Sequence, residues 1–158
     1  MKAARTFFLM LALVGFIFSL SIHLLALLGR APSSEYWFVV PFLGAFVSWI
    51  SAAYLSRAKA GRMASIPVSE VVKGCPTWLK KTNYFFFAYT GFIFLWVGLR
   101  APGLFHWGKV ELPTRTGFVI FSAFSMTFYV GSFSMLFGKL FGGNRQDTMS
   151  SDATQKTA

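Results

Sequence analysis

The chain has 158 residues, of which 55% are hydrophobic, 19% are aromatic and only 13% are charged. Soluble domains carry about 25% charged residues, so this composition indicates a membrane protein with no separate soluble module. Cys75 is the single cysteine, which excludes an intrachain disulfide, and one cysteine with two histidines supplies no zinc or iron–sulfur ligand set. We therefore expect no cofactor.

Four apolar runs are each long enough to cross a bilayer, which takes about 20 helical residues. They predict spans at about 7–29, 37–56, 78–99 and 117–141. The predicted fold is an all-α integral membrane protein, an antiparallel bundle of four transmembrane helices. Residues 1–143 form this membrane domain, and the polar tail 144–158 is expected to be disordered in the cytoplasm.

The flanking residues refine the spans in chain order. Lys2 and Arg5 precede a first apolar run that is longer than a signal peptide requires, so we expect this span to be retained. Pro41 lies near the start of the second span, where it predicts either a bend or a delayed helix start. Pro76 suits the first turn of the third helix, and Gly142 and Gly143 end the fourth.

The basic residues are sorted between the two sides of this four-span arrangement. Eleven of the fifteen Lys and Arg residues lie on the side of the two termini and the middle loop. Since cytoplasmic loops carry the excess of positive charge, both termini are predicted to be cytoplasmic. This sorting also accounts for the net charge of +10, so the expected partners are the bilayer and its anionic head groups at the cytoplasmic face, not nucleic acid.

Small residues spaced three or four apart mark helix faces on which two backbones can approach closely. Each predicted span carries such a series, which favours a compact bundle. The packing candidates are Gly15 and Ser19, Gly44 and Ser48, Gly91 and Gly98, and Gly131 and Ser134.

Candidate chemistry is sparse. All five acidic residues lie outside the apolar runs, so ion-coupled transport, which commonly uses an intramembrane carboxylate, is not expected. His23 lies inside span one and could bond a neighbouring hydroxyl, relay a proton, or ligate haem together with His106 of the outer loop. No nucleotide-binding loop or hydrolase motif is present, and we expect no enzymatic activity.

Three further features leave alternatives open. Cys75 could be structural, acylated, or a reactive thiolate beside basic neighbours. The stretch 66–79 is weakly amphipathic, consistent with a surface helix or an ordinary loop. The stripe Phe121, Phe124 and Phe128 could fill the bundle, face lipid, or line an apolar ligand cavity.

Two short motifs carry a resemblance to known proteins. These are Gly-Cys-Pro-Thr-Trp at Gly74–Trp78, before an aromatic third span, and TFYVGSFS at Thr127–Ser134. With them the layout resembles an uncharacterised group of small bacterial four-span inner-membrane proteins, which implies a bacterial cytoplasmic membrane and no known activity. Related sequences have Gly-His-Trp near the start of span four, where this chain has Thr116-Gly117-Phe118, so no role of that histidine carries over.

These observations together predict a non-catalytic accessory or assembly protein that binds other membrane proteins or itself. The alternative is an oligomeric transporter, channel or apolar-ligand-binding protein. A second alternative is a haem-binding redox subunit, with His23 as a ligand.

Overall fold

The computed structural model describes residues 2–30, 34, 36–57, 72, 74–100 and 114–141. Its regular elements are the helices α1 (Lys2–Leu27), α2 (Tyr36–Arg57), α3 (Thr77–Arg100) and α4 (Thr114–Phe141). All four are long and apolar enough to cross a membrane, which indicates a multi-pass membrane protein. His106, the tail from residue 144, and residues 66–71 and 73 of the amphipathic stretch lie outside the described residues.

Helix α1 ends in a turn that only glycine adopts readily. Gly29 has a φ of 77°, and its N–H donates to the carbonyl of Ala26 at 3.1 Å. The N–H of Arg30 donates to the carbonyl of Leu25 at 2.9 Å. This pair of bonds is the Schellman arrangement, which satisfies carbonyls that a helix end otherwise leaves without donors.

Proline shapes the starts of α2 and α3 differently. Helix α2 begins at Tyr36 and continues through Pro41, so its start is not delayed by the missing N–H. At α3, the carbonyl of Pro76 accepts the first helical bonds, from the N–H groups of Leu79 at 3.0 Å and Lys80 at 3.2 Å. Pro76 therefore stands at the very beginning of the helix, where a proline costs least.

Helix α4 is the core of the described structure. In its most apolar 18-residue stretch 72% of the residues are buried, against 28%, 22% and 28% in α1, α2 and α3. Helices α1, α2 and α3 each pack along α4, and α1 also packs along α2, whereas no backbone approach joins α2 and α3 within the described ranges. The other three helices consequently keep large outward apolar sides.

The contacts along α4 follow a consistent order. As residue numbers rise along α1 and α3, the numbers of their contacts on α4 fall, whereas along α2 they rise. The ordered pairs are Gly15–Tyr129, His23–Ser122 and Ala26–Arg115 for α1, Phe42–Phe121, Phe46–Phe128 and Trp49–Gly131 for α2, and Asn83–Ser134, Thr90–Thr127 and Phe94–Phe124 for α3.

Candidate functional site

Tyr129 of α4 occupies the space that two glycines leave open. A Cβ built on Gly15 would lie 2.2 Å from Tyr129 Cζ, and one on Gly44 would lie 2.6 Å from its hydroxyl oxygen. The Tyr129 side chain is buried, and its hydroxyl donates to the carbonyl of Pro41 at 3.0 Å. One aromatic ring thus joins α1, α2 and α4.

The remaining packing candidates fall into different surroundings. A Cβ on Gly131 would lie 2.4 Å from the ring of Trp49, whereas one on Gly91 would meet nothing within 4 Å. Gly98 is buried, and Gly91 is exposed. Ser19 and Ser48 are fully buried, and neither hydroxyl has a hydrogen-bond partner within the described part of the chain.

His23 lies at the centre of a hydrogen-bond network that joins three helices. Its Nδ1 is 2.8 Å from Ser122 Oγ on α4, and its Nε2 is 2.5 Å from the Tyr89 hydroxyl on α3. The Ser122 hydroxyl also donates to the carbonyl of Phe118. His23 is only 2% exposed and Ser122 is also buried, whereas Tyr89 is half-buried.

The positions of the hydrogen atoms in this network can be assigned from the distances between its donors and acceptors. Since the Ser122 proton points to the Phe118 carbonyl, Ser122 Oγ accepts from a protonated Nδ1 of His23. Nε2 is then the acceptor of the Tyr89 hydroxyl proton. A neutral imidazole satisfies every bond, and a haem iron or metal could bind Nε2 only by displacing Tyr89.

A second polar seam connects α3 to α4. The hydroxyls of Thr90 and Thr127 lie 2.7 Å apart, and Thr90 also donates to the carbonyl of Ala123 at 3.1 Å. Two turns away, the Asn83 side-chain amide donates to Ser134 Oγ at 2.5 Å. Of these residues, Ser134 was a predicted packing position and Thr127 begins a motif noted in the sequence, whereas Asn83 and Thr90 were not predicted. The equal seven-residue spacings from 83 to 90 and from 127 to 134 are the signal of facing polar stripes.

Cys75 belongs to the same seam, just before α3 begins. Its thiol is buried and donates to the backbone carbonyl of Ser134 at 3.1 Å. Burial raises the pKa of the Cys75 thiol, and the nearby charge of Lys80 lowers it only in part. A buried, protonated thiol is unreactive, so this geometry favours the structural interpretation over thiolate chemistry or acylation.

Two arginines hydrogen-bond to the carboxyl ends of neighbouring helices. Arg115, at the start of α4, donates to the carbonyls of Ala26 at 2.8 Å and Leu27 at 2.6 Å, where α1 ends. Arg5, near the start of α1, donates to the carbonyl of Leu55 on α2 at 3.1 Å. A cation at this position complements the negative end of the helix dipole and satisfies carbonyls that lack helical donors.

The three phenylalanines of the α4 stripe do not all pack against the same helix. Phe121 packs edge-to-face against Phe42 at 5.2 Å, and Phe128 packs against Phe46 at 5.0 Å, both on α2. Phe124 packs instead against Phe94 of α3 at 6.0 Å. The stripe therefore spreads from α2 to α3 across one side of α4.

No cluster of three or more His, Cys, Asp or Glu side chains occurs within the described ranges. All five acidic residues lie in segments outside those ranges. Comparison of the chain with models of known protein families, with curated protein sequences and with solved structures gives no match.

Proposed function

We propose that the chain is a non-catalytic accessory or assembly protein of the bacterial cytoplasmic membrane. In this proposal it crosses the bilayer as an antiparallel four-helix bundle with both termini in the cytoplasm. It binds other membrane proteins. It also contacts the lipid bilayer, including anionic head groups at the cytoplasmic face.

The observation that carries this proposal is the use of polar side chains inside the bundle. His23, Tyr89 and Ser122 bond to one another, and Thr90 bonds to Thr127, so these groups hold α1, α3 and α4 together. A side chain whose donors and acceptors are all engaged in helix contacts presents nothing to a substrate. These five side chains thus support a defined helix arrangement, in which interhelical hydrogen bonds stabilise packing.

The outward sides of the outer helices support a role in binding. Large apolar side chains point away from α4 on each of them, including Val14, which is 63% exposed, and Leu95, which is 64% exposed. Such sides face either lipid or the helices of another membrane protein. An accessory protein needs this kind of surface and needs no reactive group.

The proposed topology rests on two independent features. The contact order along α4 is opposite for α1 and α3 but the same for α2, as expected when successive spans alternate in direction. The excess of Lys and Arg at the ends of the chain and in the middle loop favours the cytoplasm for that side.

In-cell photo-crosslinking tests the binding role. A photoreactive phenylalanine analogue replaces exposed Leu95 in one variant and Leu136, which is 0% exposed, in the other. We expect discrete adducts with another membrane protein from position 95 and none from position 136, with the adduct identified by mass spectrometry.

Two results would overturn the proposal. The first is that exposed positions on all three outer helices yield only lipid adducts. The second is an intrinsic activity of the purified chain: solute flux through proteoliposomes, or a haem absorption band that the substitution His23→Ala removes.

A further inference from the structure

An aromatic groove runs along α4 between α2 and α3. We define it by Phe42 and Phe46 of α2, Phe124 and Phe128 of α4, and Phe94 of α3. Ring centroids are 5.0 Å apart for Phe46–Phe128 and 6.0 Å apart for Phe94–Phe124, while no backbone approach closes α2 against α3 in the described ranges. Phe46 and Phe94 remain 38% and 36% exposed, so the groove is accessible from the side.

The α3 wall of the groove has an open position. Phe87, Gly91 and Phe94 are spaced by four and three residues, which places them on one side of α3. Phe87 is 41% exposed, and a Cβ on Gly91 would meet nothing within 4 Å. Gly91 is therefore a gap between two rings rather than a closely packed glycine.

One end of this groove carries two cations. Lys139 follows Phe128 by eleven residues, and Lys80 precedes Phe87 by seven. Eleven and seven residues are close to whole numbers of helical turns, so each cation lies on the groove side of its own helix. Since Asn83 of α3 bonds to Ser134 of α4, both lysines come to the same end of the bundle.

The dimensions and charges of this groove fit a phospholipid. A rise of 1.5 Å per residue puts Lys139 about 16 Å from Phe128, close to half of the roughly 30 Å hydrocarbon core. Close packing against another helix needs a continuous series of small residues, and Gly91 is the only small residue among the three that form the α3 wall. Walls made of phenylalanine rings suit an acyl chain instead. The two lysines at one end are groups that attract an anionic phosphate.

We propose that the groove binds one anionic phospholipid, with an acyl chain along the aromatic walls and the phosphate at Lys80 and Lys139. The inference rests on the membrane location in the proposed function but not on any protein partner. It assigns a defined lipid site to one edge of the bundle, in addition to the general attraction of a basic surface.

Native mass spectrometry of the detergent-purified chain tests this site directly. The protein is mixed with equal amounts of phosphatidylglycerol and phosphatidylcholine that have the same acyl chains. We expect one phosphatidylglycerol to be retained selectively, and the double variant Lys80→Gln/Lys139→Gln to lose that selectivity by about tenfold or more.

The matched control is Lys2→Gln/Lys81→Gln. It removes the same number of charges from the same end of the bundle, but Lys2 and Lys81 are exposed positions that are not part of the groove. The control should retain the wild-type selectivity. Equal losses in the two double variants would overturn the proposal, because they would show only diffuse attraction to a basic surface.

The acyl-chain position has its own test at Gly91. Gly91→Leu should fill the gap and reduce lipid retention several-fold at an unchanged melting temperature, while Gly91→Ala should retain the lipid. Full retention by Gly91→Leu, or a second copy of the chain bound in place of lipid, would overturn the proposal. These measurements use the isolated protein, so their outcome is independent of crosslinking in cells. The lipid site can be contradicted while a protein partner is still found from position 95, and the binding role can be contradicted while the lipid is still retained.

Discussion

Glycine acts at individual residues here by leaving space for a specific neighbour. The Tyr129 ring lies where side chains at Gly15 and Gly44 would otherwise stand. The position of a glycine in a small-residue series does not reveal this, because Gly91 belongs to such a series and a Cβ added there would meet nothing within 4 Å. What distinguishes the two cases is whether a large side chain on another helix points at the gap.

Gly15→Ala should destabilise the bundle by about 1–3 kcal/mol, because the new Cβ would overlap the Tyr129 ring. Gly91→Ala is the control: its Cβ has free space, and alanine is the better helix former by about 1 kcal/mol. Thermal unfolding in detergent should show a lower midpoint for the first variant only. Equal midpoints for both variants would contradict the close packing at Gly15.

Removal of one hydroxyl from the hydrogen-bond network of His23 should lower the stability of the protein. Tyr89→Phe leaves Nε2 of His23 buried without its donor, which should cost about 1–3 kcal/mol of unfolding free energy. Ser21→Ala is the control, since Ser21 is exposed and bonds only to its own helix at Ile17. A further check is nitrogen NMR of His23, which should report the tautomer with the proton on Nδ1; a proton on Nε2 would contradict the assigned network.

Cys75 should react slowly with maleimide in the folded protein. Burial raises the pKa of its thiol, so the protonated form dominates at neutral pH and the attacking thiolate is scarce. The comparison is Thr77→Cys in a Cys75→Ser background, because Thr77 is exposed two residues away. Rapid labelling of Cys75 at pH 7 without denaturant would show that the thiol is accessible.

At the scale of whole helices, charged residues at the ends determine how neighbours are joined. Arg115 contributes two hydrogen bonds to the end of α1, and Arg5 contributes one to the end of α2. In the count of Lys and Arg on each side of the membrane, these arginines contribute only to the predicted topology. Their second role depends on which helix end lies beside them, which is a property of the assembled bundle.

Arg115→Gln should destabilise the protein by about 1 kcal/mol or more, because the end of α1 loses a cation and its two bonds. The control Arg30→Gln removes the same charge from a nearby exposed position. Both substitutions change the charge bias across the membrane equally, so a lower melting temperature in Arg115→Gln alone isolates the capping effect. Equal melting temperatures would argue against capping by Arg115.

At the scale of the whole molecule, the last helix in the sequence is the centre of the packing. Helix α4 contacts the other three, and its buried fraction is more than twice theirs. A bundle built in this way cannot complete its core until the final span is inserted beside the others. The proposed topology then requires α4 to run in the same direction as α2.

Reporter fusions test this arrangement in cells. A cytoplasm-active reporter fused after Lys139 or placed in the middle loop at Lys73 should be active, and one placed at Lys109 should be inactive. The physical reason is the excess of Lys and Arg on the side that is proposed to be cytoplasmic. Activity at both Lys73 and Lys109 would place the two loops on the same side and would contradict the four-span topology.

Hydropathy was sufficient to predict four membrane-length helices, because burial in lipid depends on runs of apolar residues that are local in sequence. The start of the third helix at Pro76 could be predicted for the same reason, because the preference of proline for the first turn is local in sequence. Hydropathy could not rank the helices by burial, since α1 is the most apolar of the four and yet α4 forms the core. In lipid an apolar side chain is equally at home against lipid or protein, so apolarity does not reveal which helix is central.

The amino-acid order alone determined that the chain has four helices long and apolar enough to cross a membrane, since this depends on how neighbouring residues partition between lipid and water. Tertiary packing decided that His23 bonds to Tyr89 and Ser122, that Gly15 faces Tyr129 while Gly91 faces open space, and that Arg115 meets the end of α1. These are contacts between residues far apart in the chain. They depend on the rotation and relative shift of whole helices, which no local pattern specifies.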